Sequence, residues 1–199
     1  MMRRYIGRPV ESALRALAGF LDRRGVTPNA LTLTGLIVNL GAAWAYYAGF
    51  WFAGGVVVLF AGLFDMLDGA VARAGGRVSA LGAFIDSVVD RYSDFLVFTG
   101  LLAHYASNGD LGRTLLVLAV VLGAFMVSYV RARAELTIPK CDVGLMERPE
   151  RIVLLAAGSL FGFLEIALWA LAVLTHLTAF HRIYHTVKTG RSASPAPPG

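Results

Sequence analysis

The stretch FDMLDGAVARAGGRVSALGAFIDSVVDRYSD, residues 64–94, lies between two long apolar segments of the chain. It carries five carboxylates, at Asp65, Asp68, Asp86, Asp90 and Asp94. Charged side chains within a bilayer are costly, and they are retained mainly where they serve a function. The interpretation of the whole sequence therefore depends on what these five carboxylates do.

The composition is typical of an integral membrane protein. The 199 residues are 57% hydrophobic and 16% charged, with a mean hydropathy of +0.65, and a soluble domain needs more polar surface than that. The first long apolar run begins near Leu31 without a small-residue cleavage pattern, so we expect no cleaved signal peptide. The single cysteine, Cys141, excludes an intrachain disulfide framework. The net charge of +5 follows from where the basic residues lie, and we expect no nucleic-acid partner.

The pattern of apolar and basic residues predicts the topology. Residues 8–25 have the spacing of an amphipathic helix that lies in the membrane surface. Spans are expected at about 31–50, 51–70, 80–106 and 112–134. Lys and Arg concentrate before residue 25, at 73–91, at 131–151 and after 181, which makes these regions cytoplasmic.

The segment 151–187 then has to cross twice, with a turn near Glu165, unless it is one tilted helix with an external C-terminus. The prediction is an all-α integral membrane protein with six transmembrane helices preceded by an amphipathic interfacial helix. Residues 1–28 form the cytoplasmic N-terminus, residues 29–188 the six-span domain, and residues 189–199 a disordered cytoplasmic tail.

The aspartates are expected to converge near the inner leaflet. At about 1.5 Å per residue along each helix, four of the five fall in one layer. Asp65 and Asp68 share a helical face, as do Asp86 and Asp90. A divalent cation would offset their repulsion, and hard oxygen ligands without nearby Cys or His favour Mg²⁺ or Mn²⁺. Two alternatives stay open: a cation-transport site, and interhelical ion pairs with Arg73, Arg77 and Arg91.

The spacing of these residues is specific. It reads Asp65-x2-Asp68-Gly69-x2-Ala72-Arg73-x8-Gly82-x3-Asp86-x3-Asp90. This pattern resembles the signature of the CDP-alcohol phosphotransferase family, whose members join a CDP-linked lipid to an alcohol and release CMP. The resemblance implies that two Mg²⁺ or Mn²⁺ ions are held by Asp65, Asp68, Asp86 and Asp90, with Asp90 also the general base.

The same resemblance implies a site for CDP-diacylglycerol or another CDP-linked lipid. Asn29 and Thr32, in TPNALTLTG, are candidate nucleotide contacts, although helix capping after Pro28 explains them equally well. Asp94 lies outside the signature, and we expect it to pair with an arginine. The implied CDP-lipid site comprises Asn29, Thr32, Asp65, Asp68, Gly69, Ala72, Arg73, Ser79 and Gly82.

Three basic segments bear on the acceptor alcohol. SYVRARAE (128–135), ERPER (147–151) and HRIYHTV (181–187) resemble the phosphatidylinositol phosphate synthases of the family, which use inositol phosphate. Glycerol 3-phosphate is the alternative acceptor, and ordinary cytoplasmic placement of basic residues also explains each arginine singly. The acceptor contacts implied by the resemblance are Ser128, Arg131, Arg133, Arg148, Arg151 and Arg182.

The resemblance also implies a homodimer embedded in membrane lipid. The expected location is the cell membrane, with several crossings and an active site that faces the cytoplasm.

Overall fold

The computed structural model describes residues 8–193, and the side chains of residues 12–190 within them. This part of the chain folds into helices joined by short connections, without a β-strand. The helices are α1 (Arg8–Arg23), α2 (Pro28–Tyr47), α3 (Trp51–Ala74), α4 (Ala80–Ser107), α5 (Leu111–Ala134), α6 (Arg148–Leu160) and α7 (Leu164–Ala193).

The helices follow the predicted segments closely. Each of the first four predicted spans corresponds to one helix, and the largest difference is the end of α3, at residue 74 instead of 70. The segment 151–187 is divided by a turn at 161–163, where Gly162 adopts φ +78°, a left-handed conformation that glycine tolerates best. The alternative of one continuous helix is therefore wrong. Helix α7 also continues past the predicted boundary at residue 188 to Ala193, whereas residues 1–7 and 194–199 lie outside the described part.

Among the described helices, four are long and apolar enough to cross a membrane: α2, α3, α5 and residues Leu164–Gly190 of α7. Helix α4 is longer, but it carries three aspartates and Arg91 between residues 86 and 94. Helix α6 has only 13 residues. Length and composition alone therefore do not establish six crossings.

Helices α2–α7 form a closed ring of neighbours, in the order α3, α2, α4, α5, α7, α6 and back to α3. Small residues allow close approach at these contacts. A side chain on Gly100 of α4 would collide with the backbone of Ala43 in α2, and one on Gly55 of α3 would meet Ser159 of α6. Ser159 also shares a hydrogen bond of 2.8 Å with the buried Tyr46 hydroxyl. The ring brings the first turn of α6 close to both α3 and α4.

Helix α1 packs outside the ring against α3. Ala18 is fully buried in a cluster with Leu31, Leu67 and Val71. Arg77, after α3, pairs with Asp22 and donates a hydrogen bond of 3.2 Å to the Val26 carbonyl. These contacts fix α1 beside the acidic end of α3.

Candidate active site

The acidic cluster lies where α3 and α4 approach the first turn of α6. Asp65 and Asp68 belong to α3, and Asp86, Asp90 and Asp94 to α4. Asp86 interacts electrostatically with Asp65, Asp68 and Asp90, so the carboxylates are close enough to repel one another. The structure thus brings together all five aspartates of the opening stretch.

Arg148, the first residue of α6, penetrates this cluster. Its Nη1 contacts Asp65 Oδ2 and lies 2.6 Å from Asp90 Oδ1, while its Nε donates to Asp94 Oδ1 at 3.2 Å. The family resemblance implies that Arg148 is an acceptor contact. In the structure its guanidinium lies among the acids instead, because the α3–α6 contact directs the start of α6 toward them.

Asp94 links two arginines, as the sequence analysis expected of this residue. It accepts from Arg148 and from Nη2 of Arg151. Arg151 is 3% exposed and also donates to the Met146 carbonyl at 3.2 Å. Its Nε has no hydrogen-bond partner within the described residues.

The ion-pair alternative is met only in part by the arginines that it named. Arg77 binds Asp22 of α1. Arg91 comes only to 3.9 Å from Asp90 and donates instead to the Ser87 carbonyl at 2.5 Å. The arginines that bind the acidic cluster come from α6, more than fifty residues further along the chain.

Thr32 connects the candidate nucleotide segment to the acids. Its buried hydroxyl donates to Asp68 Oδ2 at 2.7 Å, with the Pro28 carbonyl as a second acceptor at 3.1 Å. Thr27, rather than Asn29 or Thr32, caps α2 by accepting from Ala30 N at 3.2 Å. Asn29 is exposed in the first turn. The capping explanation for Asn29 and Thr32 is therefore wrong.

The other predicted CDP-lipid residues lie around the connection between α3 and α4. The guanidinium of Arg73 lies over Gly69, where an added Cβ would be 3.2 Å from Nη1. Ser79 caps α4 by accepting from Gly82 N at 3.0 Å, and a Cβ on Gly82 would be 3.0 Å from the same hydroxyl. Ala72 is half-buried one residue before Arg73.

The position of Arg148 tests whether a divalent metal fits. With the side chains as they lie, no group of three or more carboxylate, imidazole or thiolate side chains within residues 8–193 forms a metal cage. One cationic nitrogen is nevertheless shared by carboxylates from two helices. A divalent cation there would meet oxygen ligands from both α3 and α4, and carboxylate oxygens suit Mg²⁺ and Mn²⁺. The donor set fits such an ion.

A second cluster lies beside the first and is called the basic cluster here for its two convergent arginines, although carboxylates pair with both of them. Arg131 of α5 and Arg182 of α7 both contact Oε1 of Glu147, each at 3.3 Å. Arg131 also pairs with Glu135 and Asp142, both at 3.0 Å. A hydrogen bond from Lys140, together with the charge of Arg131, lowers the pKa of the Asp142 carboxyl.

Arg182 is buried and fixed by backbone hydrogen bonds, whereas Ser128 and Arg133 are more exposed. It is 2% exposed, and it donates to the carbonyls of Val143 and Val127, both at 2.8 Å. Ser128 is half-buried one turn before Arg131. Arg133 is exposed and about 200° around α5 from Arg131, so it faces away from the Glu147 contact.

Sequence reasoning missed Glu147 and Asp142. Glu147 opens ERPER, in which acidic and basic residues alternate, and Asp142 follows Lys140 by two residues; these neighbours were the signals available. The contacts of Glu147 with Arg131 and Arg182, which are 16 and 35 positions away, could not be predicted without knowing which helices are neighbours in the ring.

A comparison with protein families gives the class of this protein. The family model of CDP-alcohol phosphatidyltransferase matches residues 25–180, which contain the acidic cluster and Arg131 of the second cluster, whereas Arg182 lies two residues beyond the match. The chain belongs to the CDP-alcohol phosphatidyltransferase family.

Individual relatives are similar over nearly the whole chain. The phosphatidylinositol phosphate synthase of Mycobacteroides abscessus is 40% identical over 89% of this chain and 84% of its own. The archaetidylinositol phosphate synthase of Pyrococcus horikoshii is 35% identical over 90% of this chain and 93% of its own.

A solved relative has the same fold. The phosphatidylinositol phosphate synthase of Mycobacterium tuberculosis with CDP-DAG bound has a TM-score of 0.80 and 34% identity, covering 94% of this chain and 98% of that one. Its complex with manganese and citrate also has a TM-score of 0.80, at 35% identity, covering 94% and 95%.

Proposed function

We propose that this protein transfers a phosphatidyl-type group from a CDP-linked lipid to inositol phosphate. The acceptor hydroxyl oxygen bonds to the lipid-bearing phosphorus, and the bond from that phosphorus to the oxygen of CMP breaks. The products are a phosphatidylinositol phosphate and CMP. The observation that carries the proposal is the pair of adjoining clusters, one acidic and one basic, at the start of α6.

The donor half of the site uses residues of α2, α3 and α4. Arg73, exposed above Gly69, can bind a phosphate of the donor. Thr32 holds Asp68 in place by its hydrogen bond, so its role is to orient a carboxylate beside the nucleotide. Asn29, Ala72, Ser79 and Gly82 complete the proposed CDP-lipid surface.

Asp65, Asp68, Asp86 and Asp90 are the residues that would hold two Mg²⁺ or Mn²⁺ ions. Bound metal would offset the negative charge of the diphosphate and of departing CMP. Asp90 accepts the proton of the attacking hydroxyl, and its partial exposure leaves it accessible to an acceptor.

The acceptor half uses the basic cluster. Arg131 and Arg182 already converge on one carboxylate oxygen, which is the arrangement that a phosphate group requires. Ser128, Arg151 and Arg133 remain proposed contacts, with Arg133 outermost. Inositol phosphate is favoured over glycerol 3-phosphate, because the relatives are named archaetidylinositol phosphate synthase and phosphatidylinositol phosphate synthase.

We also propose six crossings with the site on the cytoplasmic side, and a homodimeric assembly. Helix α4 has 28 residues, about 42 Å at 1.5 Å each, which is enough to span a hydrocarbon core of about 30 Å. Its acids are compensated by arginines of α6. The α6–α7 turn exposes Phe161 and Phe163, which suits an apolar environment. On α1, the exposed Leu17 and Phe20 can enter the membrane surface.

The test is release of CMP from CDP-diacylglycerol by the purified protein with Mg²⁺. Inositol phosphate, glycerol 3-phosphate, serine and free inositol are compared as acceptors. We expect inositol phosphate to give the highest kcat/KM. A higher kcat/KM with glycerol 3-phosphate would identify that alcohol as the acceptor instead. CMP release that no acceptor stimulates would overturn the proposal.

A further inference from the structure

Glu147 lies between the two charged clusters and immediately before Arg148. It is the N-terminal capping residue of α6 by position, yet its side chain makes no capping hydrogen bond to the helix. The carboxylate reaches instead to Arg131 on α5 and Arg182 on α7. Its contacts therefore serve the basic cluster rather than the start of the helix.

Glu147 makes two long contacts, one with each arginine. Both guanidinium groups share the single oxygen Oε1, and each lies 3.3 Å away. Ion-paired N–H···O contacts are usually about 2.7–2.9 Å. The two arginines also repel each other. One carboxylate oxygen thus bridges them without giving either a short hydrogen bond.

The remaining bonds of the arginines do not depend on Glu147. Arg182 keeps two hydrogen bonds to backbone carbonyls, and Arg131 keeps its pairs with Glu135 and Asp142. The arginine pair is therefore held in position by other groups. Glu147, 34% exposed on its side chain, can leave without dismantling the cluster.

We propose that Glu147 occupies the position of the acceptor's phosphate and competes with it for the two arginines. This inference rests on the proposed function. A phosphate offers three oxygens and two negative charges, so each arginine can take its own short bond and the carboxylate is displaced. Free inositol has no phosphate to bind these arginines, so its binding does not depend on whether Glu147 occupies them.

The physical consequence is a lowered apparent affinity in the wild type. When a site is open for only a fraction of the time, the measured Kd rises in inverse proportion to that fraction. If Glu147 occupies the arginines for most of the time, Glu147→Gln should bind inositol phosphate about 3- to 10-fold more tightly. If Glu147 merely organised the pocket, its removal would weaken the binding of inositol phosphate.

The experiment is isothermal titration calorimetry, in which inositol monophosphate is added to the purified protein without metal. Inorganic phosphate and free inositol are titrated separately. We expect Glu147→Gln to tighten binding of both phosphate compounds, to leave free inositol unchanged, and to lower the acceptor KM more than it changes kcat. Glu147→Asp, whose side chain is one methylene shorter, should bind the phosphate compounds with an affinity between those of the wild type and Glu147→Gln. It also serves as the second variant if Glu147→Gln does not fold.

Glu135→Gln is the matched control, because Glu135 pairs with Arg131 but not with Arg182 and has a similar exposure. It measures the general effect of removing one negative charge, and we expect a change within about twofold. Weaker phosphate binding in Glu147→Gln, or equal tightening in both variants, overturns the inference. Failure of the wild type to bind inositol monophosphate overturns the proposed function itself, together with this inference.

Discussion

Arg148 contacts three of the five aspartates, and its removal should therefore expose their mutual repulsion. Breaking a buried ion pair from one side costs about 3–5 kcal/mol, because it leaves uncompensated charge behind. We expect Arg148→Gln to lower the unfolding temperature in metal-free buffer. We also expect Mn²⁺ to raise it more in the variant than in the wild type, because the ion replaces the missing positive charge.

Thermal unfolding in detergent with and without Mn²⁺ measures this difference. Arg113→Gln is the control, since Arg113 also pairs with two carboxylates, Asp110 and Glu165, away from the site. An equal Mn²⁺ shift in Arg148→Gln and wild type would show that the ion does not bind where Arg148 lies.

Asp90 is the residue to which the proton of the acceptor is assigned. Asp90→Asn retains the size of the side chain but cannot accept that proton, so transfer should fall by at least about 100-fold. Binding of the CDP-lipid, measured with a fluorescent analogue, should persist. Asp110→Asn serves as the control for loss of a carboxylate away from the site, since Asp110 pairs with Arg113. Turnover of the Asp90 variant within tenfold of the wild type would exclude Asp90 as the base.

At the residue scale, the sequence indicated which residues belong to the site better than it indicated which of them contact each other. The spacing of the aspartates indicated their shared face, because a helix places i, i+3 and i+4 together. It could not show that Arg148 inserts between Asp65 and Asp90, since that contact joins residues 83 positions apart in sequence. Arg148 was consequently assigned to the acceptor alone.

At the scale of elements, the contact between α2 and α4 holds the acidic helix against its neighbours. A Cβ on Gly100 would strike the backbone of Ala43, which cannot move aside as a flexible side chain could. Gly100→Ala should therefore destabilise the protein by about 1–3 kcal/mol and reduce activity by displacing α4.

Chemical unfolding and the transfer rate are measured together for this variant. Gly41→Ala, on α2, is the control, because a Cβ there meets nothing within 4 Å. It should be neutral or slightly stabilising, since alanine favours helix over glycine. Equal stability of the two variants would contradict the close packing of α2 on α4.

Helix existence could be predicted from the sequence, and helix neighbours could not. Apolar runs and the basic segments between them indicated α2–α5. The placement of basic segments on one side of the membrane, before and after residues 151–187, indicated a turn near Glu165. The ring order depends on small residues such as Gly55 and Gly100 meeting particular partners, which a single sequence does not reveal.

At the scale of the whole molecule, the proposed topology puts the α3–α4 connection inside the cell and the α4–α5 connection outside. Cys141 is fully buried, so the natural chain offers an unreactive background for labelling. We expect a membrane-impermeant maleimide to label Asn108→Cys in intact cells and Val78→Cys only after permeabilisation. The reverse pattern would place the active site on the outer face.

The central claim is a transfer between two substrates, and mass spectrometry of the lipid product tests it most directly. CDP-diacylglycerol, inositol phosphate and Mg²⁺ are incubated with the wild-type protein, and the lipids and CMP are quantified together. The account predicts one phosphatidylinositol phosphate for each CMP released. Phosphatidic acid with CMP, or an unchanged CDP-lipid, would contradict it.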